Sequence, residues 1–171
     1  MTNNELEQLE RRIQVLEDTA AITKFKADYA LRVDLGRGDV VEMFAEGATL
    51  DSGPGFGVAN TRAEIAEHYK NVAKNSPFVL HHIYNPCITI IDESHAKASW
   101  LFRAEAILSS TGKAVVICGY YYDEYVKIDG EWKYKAIVNR LFYVTEPGKS
   151  WAEQRWAVPT LTEMNYPVTG M

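Results

Sequence analysis

Two adjacent histidines near the middle of the chain are the residues whose type and setting could carry out chemistry. His81 and His82 lie in the run Leu80–Pro86, and the chain has four histidines among its 171 residues. Histidine titrates near neutral pH, so it is the natural base for removing a proton from carbon. Neighbouring residues of a β-strand point to opposite faces, so one of the two can enter a pocket while the other cannot. The alternative is an ordinary core histidine beside an ordinary surface histidine.

An aspartate upstream could complete this base. Asp34 precedes His81 by 47 residues and should end a long helix, where a carboxylate opposes the helix dipole. Asp34 therefore lowers the stability of the helix unless it pairs with another group or has a role in catalysis. The alternative interpretation is that Asp34 is an ordinary solvated residue just past the helix. A carboxylate bound to one imidazole N–H fixes the tautomer and stabilises the imidazolium that forms during proton transfer. Tyr29 or Arg140 would then donate a hydrogen bond to a leaving hydroxyl or a developing enolate.

Four aromatic side chains are expected to line a pocket near this base. Trp100 and Phe102 share one face of a predicted strand, and Tyr121 and Tyr125 share one face of the next. Plain core packing is the alternative interpretation for each of them. The predicted ligand is a hydrophobic small molecule.

Neither a metal nor a cofactor is predicted. His81 and His82 cannot both bind one ion from a single strand, and the sequence has no Cys-x-x-Cys or His-x-His pair. The glycine-rich run at 53–57 lacks the GxxxxGK(S/T) pattern of a phosphate-binding loop, so we interpret it as a loop at the pocket rim. The sequence contains no dinucleotide-binding fingerprint either.

Helices in the first half of the chain must position Tyr29 and Asp34. A capping box at residues 2–5 and the apolar spacing after it predict one long helix, or two with a break near Asp18–Thr19. A turn, a short helix and a short strand should follow, and then a third helix capped by residues 61–64. The short helix is predicted at Val40–Phe44 and the short strand at Ala48–Asp51.

From Phe78 onward the sequence has the pattern of β-strands with no intervening helix. The apolar run Cys87–Ile91 indicates that the first of these strands is at least half buried. Asp129-Gly130 is a strong signal for a tight turn between the last two strands. Four antiparallel strands after three helices predict an α+β fold. The strands are predicted at 78–91, 95–109, 114–127 and 131–143.

The composition fits one globular domain. At 171 residues, of which 47% are hydrophobic, the chain is long enough for a single core. The formal net charge of −5 argues against nucleic acid as a partner, and no apolar run is long enough to span a membrane. The polar N-terminus has no signal-peptide core. Cys87 and Cys118 are expected to be buried thiols of a reducing compartment, which predicts the cytoplasm.

Two apolar features outside the pocket predict association between copies of the chain. The stripe Leu6–Leu16 and the tail residues Trp151 and Trp156 exceed what one small domain can bury, so a homo-oligomer is expected, either a trimer or a dimer. Residues 1–146 should form the domain with its N-terminal helical arm. Residues 147–171 should form a tail with one short helix that covers the pocket mouth or contacts a partner subunit.

The order of these motifs resembles the SnoaL-like branch of the NTF2-like superfamily. The sequence is most similar to the group that holds scytalone dehydratase, bile acid 7α-dehydratase and hexachlorocyclohexane dehydrochlorinase, over residues 15–146. The Asp-Gly-x-Trp hairpin is common across the superfamily, whereas the Asp34 and His81 pair is the more specific match. The motifs are Tyr29-x4-Asp34, His81-x3-Asn85-Pro86, Asp129-Gly130-x-Trp132 and Asn139-Arg140-Leu141-Phe142.

This resemblance implies both a fold and a function. The fold would be an α+β cone in which a curved antiparallel sheet packs against three helices around a pocket. The function would be that of a cofactor-independent lyase, in which Asp34 and His81 eliminate water or another leaving group from a hydrophobic, ring-bearing molecule. Tyr29 and Arg140 match pocket positions of that group, and Asn85 would contact substrate. The alternatives are a carbon–carbon lyase, an isomerase or a cyclase with the same pair, or a ligand-binding domain without catalysis.

Overall fold

The computed structural model describes residues 2–53, 55–108 and 111–157, which form two α-helices, one 3₁₀ helix and six β-strands. Helices precede the long strands, so the predicted α+β order is confirmed. The helices are α1 (Asn3–Asp34), the 3₁₀ helix (Gly38–Met43) and α2 (Arg62–Asn75). The strands are β1 (Phe44–Asp51), β2 (Val58–Ala59), β3 (Val79–Ile90), β4 (His95–Ile107), β5 (Ala114–Ile128) and β6 (Glu131–Thr145).

Helix α1 is one unbroken helix of 32 residues, without the break that was the alternative near Asp18–Thr19. The Thr2 hydroxyl accepts a hydrogen bond from the backbone N of Glu5 at 3.3 Å, and the Glu5 carboxylate accepts one from the backbone N of Thr2 at 2.7 Å. This is the predicted capping box. Gly36 follows the helix with a φ of 62°, as is common where a helix ends. Neither α1 nor any other helix of the described residues is long and apolar enough to cross a membrane.

A buried aspartate fixes the middle of α1 to the sheet. Asp18 is 4% exposed, and it accepts hydrogen bonds from Lys127 Nζ, from Trp132 Nε1 at 3.1 Å and from Gln14 Nε2 at 3.3 Å. Burial alone would raise the pKa of Asp18, but the hydrogen bonds from Lys127, Trp132 and Gln14 outweigh it and lower the pKa below its ordinary value. The described residues before Asp18 are all exposed. The first half of α1 therefore projects as an arm from this anchor.

The six strands form one curved, unclosed sheet in the order β2-β1-β6-β5-β4-β3. The strands β3 to β6 are antiparallel neighbours, as predicted, and β1 is parallel to β6. Asp129 and Gly130 both have positive φ, 51° and 81°, which is the backbone conformation of a tight two-residue hairpin. The sequence did not predict β2, because its two residues, Val58 and Ala59, are too few to show an alternating pattern.

Both cysteines lie on the outer face of this sheet. Cys87 is exposed and Cys118 is partly exposed, so the prediction that both are buried is wrong. The register pairs Cys87 with Ser99 and Cys118 with Arg103, whereas the intervening Trp100 faces the core. Part of the apolar run therefore lies on the exposed face of β3, an edge strand. The sequence alone could not distinguish such a strand from one that is buried on both faces.

The first residues of the C-terminal tail pack beside β6. Ser150 and Glu153 exchange hydrogen bonds as a capping pair does, but a turn follows them instead of the predicted short helix. Trp151 stacks on Tyr143 with a ring-centroid distance of 5.5 Å, and Trp156 forms a parallel bridge with Val144. The rest of the tail, 158–171, lies outside the described residues. The prediction that the tail covers the pocket or contacts a partner subunit concerns this segment and stays a prediction.

A buried ion pair lies in the core between α1 and the sheet. Lys26 Nζ and Asp123 Oδ2 are 2.8 Å apart, and the two side chains are 1% and 0% exposed. Asp123 Oδ2 also accepts from the Tyr125 hydroxyl at 2.7 Å, and that hydroxyl accepts from Trp100 Nε1 at 3.3 Å. The ammonium group lies 3.6 Å from the centre of the Tyr121 ring. Burial lowers the pKa of Lys26 and raises that of Asp123, which is the direction expected when charged forms lose water.

Removing one half of this pair should cost more stability than removing both. Lys26→Met should lower the free energy of unfolding by about 3–5 kcal/mol, because it leaves a buried carboxylate without its cation. Adding Asp123→Leu should recover most of that loss, because no buried charge then remains. Lys24→Met, on the exposed side of the same helix, is the control for the loss of a lysine. Chemical denaturation measures all four proteins, and a Lys26→Met variant as stable as wild type would contradict the expectation.

Candidate active site

A cavity of about 350 Å³ lies between the inner face of the sheet, the C-terminal half of α1 and helix α2. The loop after β1 forms part of its wall, which is where the sequence predicted a rim loop. The apolar wall includes Val33, Phe102, Ala104, Ile117, Tyr121 and Leu141. The polar wall includes Tyr29, Ser52, His68, Tyr69, His81 and Asn139. A mostly apolar cavity with a few polar groups is typical of a small-molecule site.

Asp34 and His81 meet at the wall of this cavity. His81 Nδ1 lies 2.6 Å from Asp34 Oδ1, and the backbone N of His81 donates to Asp34 Oδ2 at 3.0 Å. The side chains of His81 and Asp34 are only 11% and 13% exposed. With the carboxylate on Nδ1, the other ring nitrogen, Nε2, is the one that can accept a proton from a bound molecule. In this geometry the carboxylate holds the imidazole in one tautomer.

The position of Asp34 explains why a carboxylate stands at an unfavourable helix end. Asp34 is the last residue of α1, where the helix dipole repels negative charge. Two donors on β3, the backbone N and the ring of His81, offset that repulsion. The same contacts join the end of the helix to the edge strand of the sheet.

Two tyrosine hydroxyls form a second polar group in the cavity. Tyr29 lies five residues before Asp34 on α1, and its hydroxyl is 2.9 Å from that of Tyr69 on α2. Both side chains are buried, and burial raises the pKa of each phenol. These hydroxyls are therefore neutral hydrogen-bond donors at physiological pH. Tyr69 was not predicted as a site residue, although its spacing from Ile65 placed it on the buried face of a helix.

The predicted aromatic residues fall into two pairs. Phe102 and Tyr121 line the cavity, and their ring centres are 4.4 Å apart. Trp100 and Tyr125 face the same side of the sheet but lie outside the cavity wall, in the hydrogen-bond network of the buried ion pair. Trp100 and Tyr125, predicted to bind substrate, therefore belong to the core and not to the cavity wall. Strand parity gives the face correctly, but it does not tell how far along a long strand the cavity extends.

The structure also corrects the position of Arg140. Its guanidinium lies on the outer face of β6, bonded to Asp51 Oδ2 at 3.0 Å and to the carbonyl oxygen of Asn139 at 3.0 Å, and its side chain is 42% exposed. Asn139 points into the cavity instead. The alternation of buried Ile137, Asn139 and Leu141 in the sequence was the signal that could have found it.

Asn85 and His82 also lie away from the cavity wall. Asn85 is exposed and has a φ of 48°, at an irregularity in the pairing of β3 with β4. Asparagine tolerates this left-handed conformation, so Asn85 shapes the strand near His81 without touching the cavity. His82 faces outward, with Nε2 at 2.9 Å from Glu105 Oε2.

His68 and Ser52 are two further cavity residues that the sequence did not predict. His68 lies on α2, and its Nε2 is 3.1 Å from the Ser52 hydroxyl in the loop after β1. Burial lowers the pKa of His68, which favours the neutral ring. The described residues contain no group of three or more His, Cys, Asp or Glu side chains that could hold a metal ion.

Comparison with known proteins gives the same architecture. A model of the SnoaL-like domain matches residues 14–138. A candidate scytalone dehydratase from Novosphingobium aromaticivorans aligns with a TM-score of 0.73 at 22% sequence identity, covering 81% of this chain and 93% of that chain. A hexachlorocyclohexane dehydrochlorinase, LinA-type3, from Novosphingobium barchaimii aligns with a TM-score of 0.70 at 18% identity, covering 81% and 96%. A candidate aromatic ring hydroxylase from N. aromaticivorans aligns with a TM-score of 0.70 at 24% identity, covering 81% and 96%.

The curved sheet, the helices packed on it and the cavity between them define an NTF2-like cone. This confirms the fold that the sequence resemblance implied. Because the family model covers well over half of the chain, the protein belongs to the SnoaL-like family.

The contact between Asp34 and His81 can be tested without a substrate. Nitrogen NMR of histidine-labelled protein above neutral pH should show His81 as the Nδ1–H tautomer, because Asp34 accepts that hydrogen bond. Asp34→Asn should lose this signature. Asp92→Asn is the matched control, since Asp92 accepts from Nδ1 of His95 at 3.0 Å on an exposed turn, and it should leave the His81 signals unchanged. An Nε2–H tautomer of His81 in the wild type would contradict the assignment.

Proposed function

We propose that this protein is a cofactor-independent lyase that catalyses β-elimination on a hydrophobic, ring-bearing small molecule. The observation that carries the proposal is the hydrogen bond between Asp34 and His81 at the wall of a largely apolar cavity. A histidine oriented by a carboxylate is suited to removing a proton from carbon. A largely apolar wall lowers the local dielectric constant, which strengthens charge interactions within the cavity.

In the proposed reaction Nε2 of His81 takes a proton from the carbon next to the leaving group. The electron pair of the broken C–H bond forms the new double bond, and the leaving group departs with the electrons of its own bond. Asp34 stabilises the imidazolium that forms. One of the Tyr29 and Tyr69 hydroxyls donates to the other, and the second, kept neutral by burial, donates a hydrogen bond to the departing group or to a developing enolate. The proton on His81 then passes to the departed group, so the net reaction releases water or an acid HX.

The cavity wall supports the proposed substrate class. Phe102, Tyr121 and Ile117 give the wall an apolar surface, and the cavity volume of about 350 Å³ is enough for a fused two-ring molecule. Two similar structures carry the names dehydratase and dehydrochlorinase, and both names denote eliminations. These names support elimination as the reaction. If no turnover is found, the alternative is a domain that binds a ligand without catalysis. Cys87 and Cys118 are free thiols, which fits the cytoplasm that we propose as the location.

A bicyclic β-hydroxyketone tests the reaction directly. Loss of water from 3-hydroxy-1-tetralone gives fluorescent 1-naphthol, so turnover can be followed continuously. His81→Ala and Asp34→Asn should each lower kcat/KM by about 10²–10³-fold, because the base is lost or left in the wrong tautomer. Dialysis against a chelator should leave the rate unchanged.

His82→Ala is the matched control for the turnover assay, since His82 is the next residue on the same strand and faces outward. Its rate should stay within about twofold of wild type. Active His81→Ala together with inactive His82→Ala would show that the strand faces are assigned wrongly. Unaltered turnover in Asp34→Asn would remove the Asp–His pair from the mechanism.

We also propose that the protein is a homo-oligomer, either a dimer or a trimer. The arm of α1 exposes an apolar stripe at a spacing of three and four residues, the pattern of a helix–helix seam. Leu6, Leu9, Ile13 and Leu16 form this stripe and are 42%, 41%, 46% and 70% exposed.

Charges placed in the stripe should weaken this association. The double variant Leu9→Glu plus Leu16→Glu should lower the molar mass measured by light scattering at micromolar concentration, because a carboxylate cannot be buried in an apolar seam. Arg11→Glu, on the opposite side of the same helix, should not change the mass. A wild-type protein that is monomeric at that concentration would contradict the proposal.

A further inference from the structure

A buried amide oxygen in the cavity wall has no partner within the described part of the chain. Asn139 is 8% exposed, and its Oδ1 makes no hydrogen bond to any described residue. Its Nδ2 donates to the carbonyl oxygen of Ser52 at 3.5 Å. A carbonyl oxygen can only accept, so this contact fixes which end of the amide is the nitrogen. The acceptor Oδ1 is therefore directed elsewhere, and leaving it unpaired costs free energy that a ligand could recover.

Ser52 links Asn139 to the second histidine of the cavity. The Ser52 carbonyl holds the amide of Asn139, and the Ser52 hydroxyl contacts His68 Nε2 at 3.1 Å. The three residues come from β6, the loop after β1 and α2, and all three line the cavity. This polar group is separate from Asp34 and His81.

The loop after β1 can approach β6 closely because it contains glycine. Gly53 has a φ of 88°, and a Cβ atom there would lie 3.3 Å from Leu141 Cγ. A side chain at this position would strain the backbone and crowd the strand that carries Asn139. Gly53 therefore sets the position of the Ser52 carbonyl against Asn139.

We propose that Asn139, Ser52 and His68 form a subsite that binds a hydroxyl group of the substrate. The inference rests on the proposed function and adds to it that the ring-bearing molecule carries a hydrogen-bond donor, which Asn139 Oδ1 accepts. The free atom is an acceptor, so the ligand group must be a donor. None of the three side chains carries a formal charge when His68 is neutral, so the subsite suits a phenol or an alcohol better than an ammonium group.

The position of the subsite defines where on the molecule this hydroxyl lies. Asn139 is on β6 and His81 is on β3, with β4 and β5 between them. Three strand spacings amount to roughly 14 Å across a flat sheet. Asn139 is also displaced along β6 by five residues from Val144, the residue that the register aligns with His81. Side chains from both walls fill part of that distance, which leaves room for a fused ring. The bound hydroxyl therefore lies at the end of the ring system remote from the carbon that loses its proton to His81.

Binding of two matched ligands tests the subsite independently of turnover. The ligands are 2-naphthol and 2-methoxynaphthalene, which share a ring but differ in the donor hydrogen. Calorimetric titration is performed on the His81→Ala variant, in which the proposed base is absent. We expect 2-naphthol to bind about tenfold more tightly, the value of one hydrogen bond to an otherwise unpaired buried group.

Variants at the subsite and at one other cavity asparagine complete the experiment. In the His81→Ala background, Asn139→Leu should abolish the preference for 2-naphthol and raise the melting temperature of the free protein, because it removes a buried amide oxygen that has no partner. Asn71→Leu is the matched control: Asn71 also lines the cavity, but its amide already donates to Glu67 Oε1 at 3.2 Å. The preference for 2-naphthol should persist in Asn71→Leu. Ser52→Ala should reduce the preference severalfold by loosening the contact with His68.

The outcomes separate this inference from the proposed function. Equal binding of the two ligands, or a preference that persists in Asn139→Leu, overturns the subsite. An unchanged preference in Ser52→Ala removes the Ser52 hydroxyl and His68 from the subsite. If the preference follows Asn139 but no β-hydroxyketone is turned over, the subsite stands and the lyase fails. If neither ligand binds, the ring-bearing substrate class and the subsite are both wrong.

Discussion

The carboxylate of Asp34 joins the two elements on which the cavity depends. It stands at the last residue of α1 and accepts hydrogen bonds from both the backbone and the ring of His81 on the edge strand β3. These charge-assisted contacts offset the unfavourable dipole at the helix end. They also orient the imidazole toward the cavity. One side chain therefore holds the helix against the sheet and sets the tautomer of the proposed base.

The interior of the protein contains polar groups of two kinds. Lys26 and Asp123 are fully buried but bonded to each other, so they contribute to a specific core rather than to a binding surface. Asn139 is buried at the cavity wall with its acceptor unpaired among the described residues. Within the described ranges, buried atoms without a partner also occur away from the cavity wall, at Asp123 Oδ1, Tyr134 Oη and Thr145 Oγ1. The position of Asn139 at that wall, and not the lack of a partner alone, therefore supports the proposed subsite.

The sequence predicted the elements well because the signals for them are local. Capping residues, the tight Asp129-Gly130 turn and strand alternation depend on neighbours in the chain, and each was found in the structure. The pairing of Asp34 with His81 was reached only through the resemblance and the chemistry of the two residue types. Trp100 was misplaced because its surroundings depend on the sheet as a whole. Arg140 was placed in the cavity through the resemblance, although the alternation of Ile137, Asn139 and Leu141 assigns it to the other face. Local pattern says which face a residue takes, but not which helix covers that face.

Edge strands expose backbone groups to which another strand can pair, and such pairing leads to aggregation. The backbone N of His81 lies on β3, the edge strand of this sheet, and donates to Asp34 rather than to a neighbouring strand. Asp34 thus occupies the place that a foreign strand would take. A strand from another molecule cannot pair there without first displacing a charged group that is already bonded. The contact that orients the imidazole of His81 also protects the open edge of the sheet.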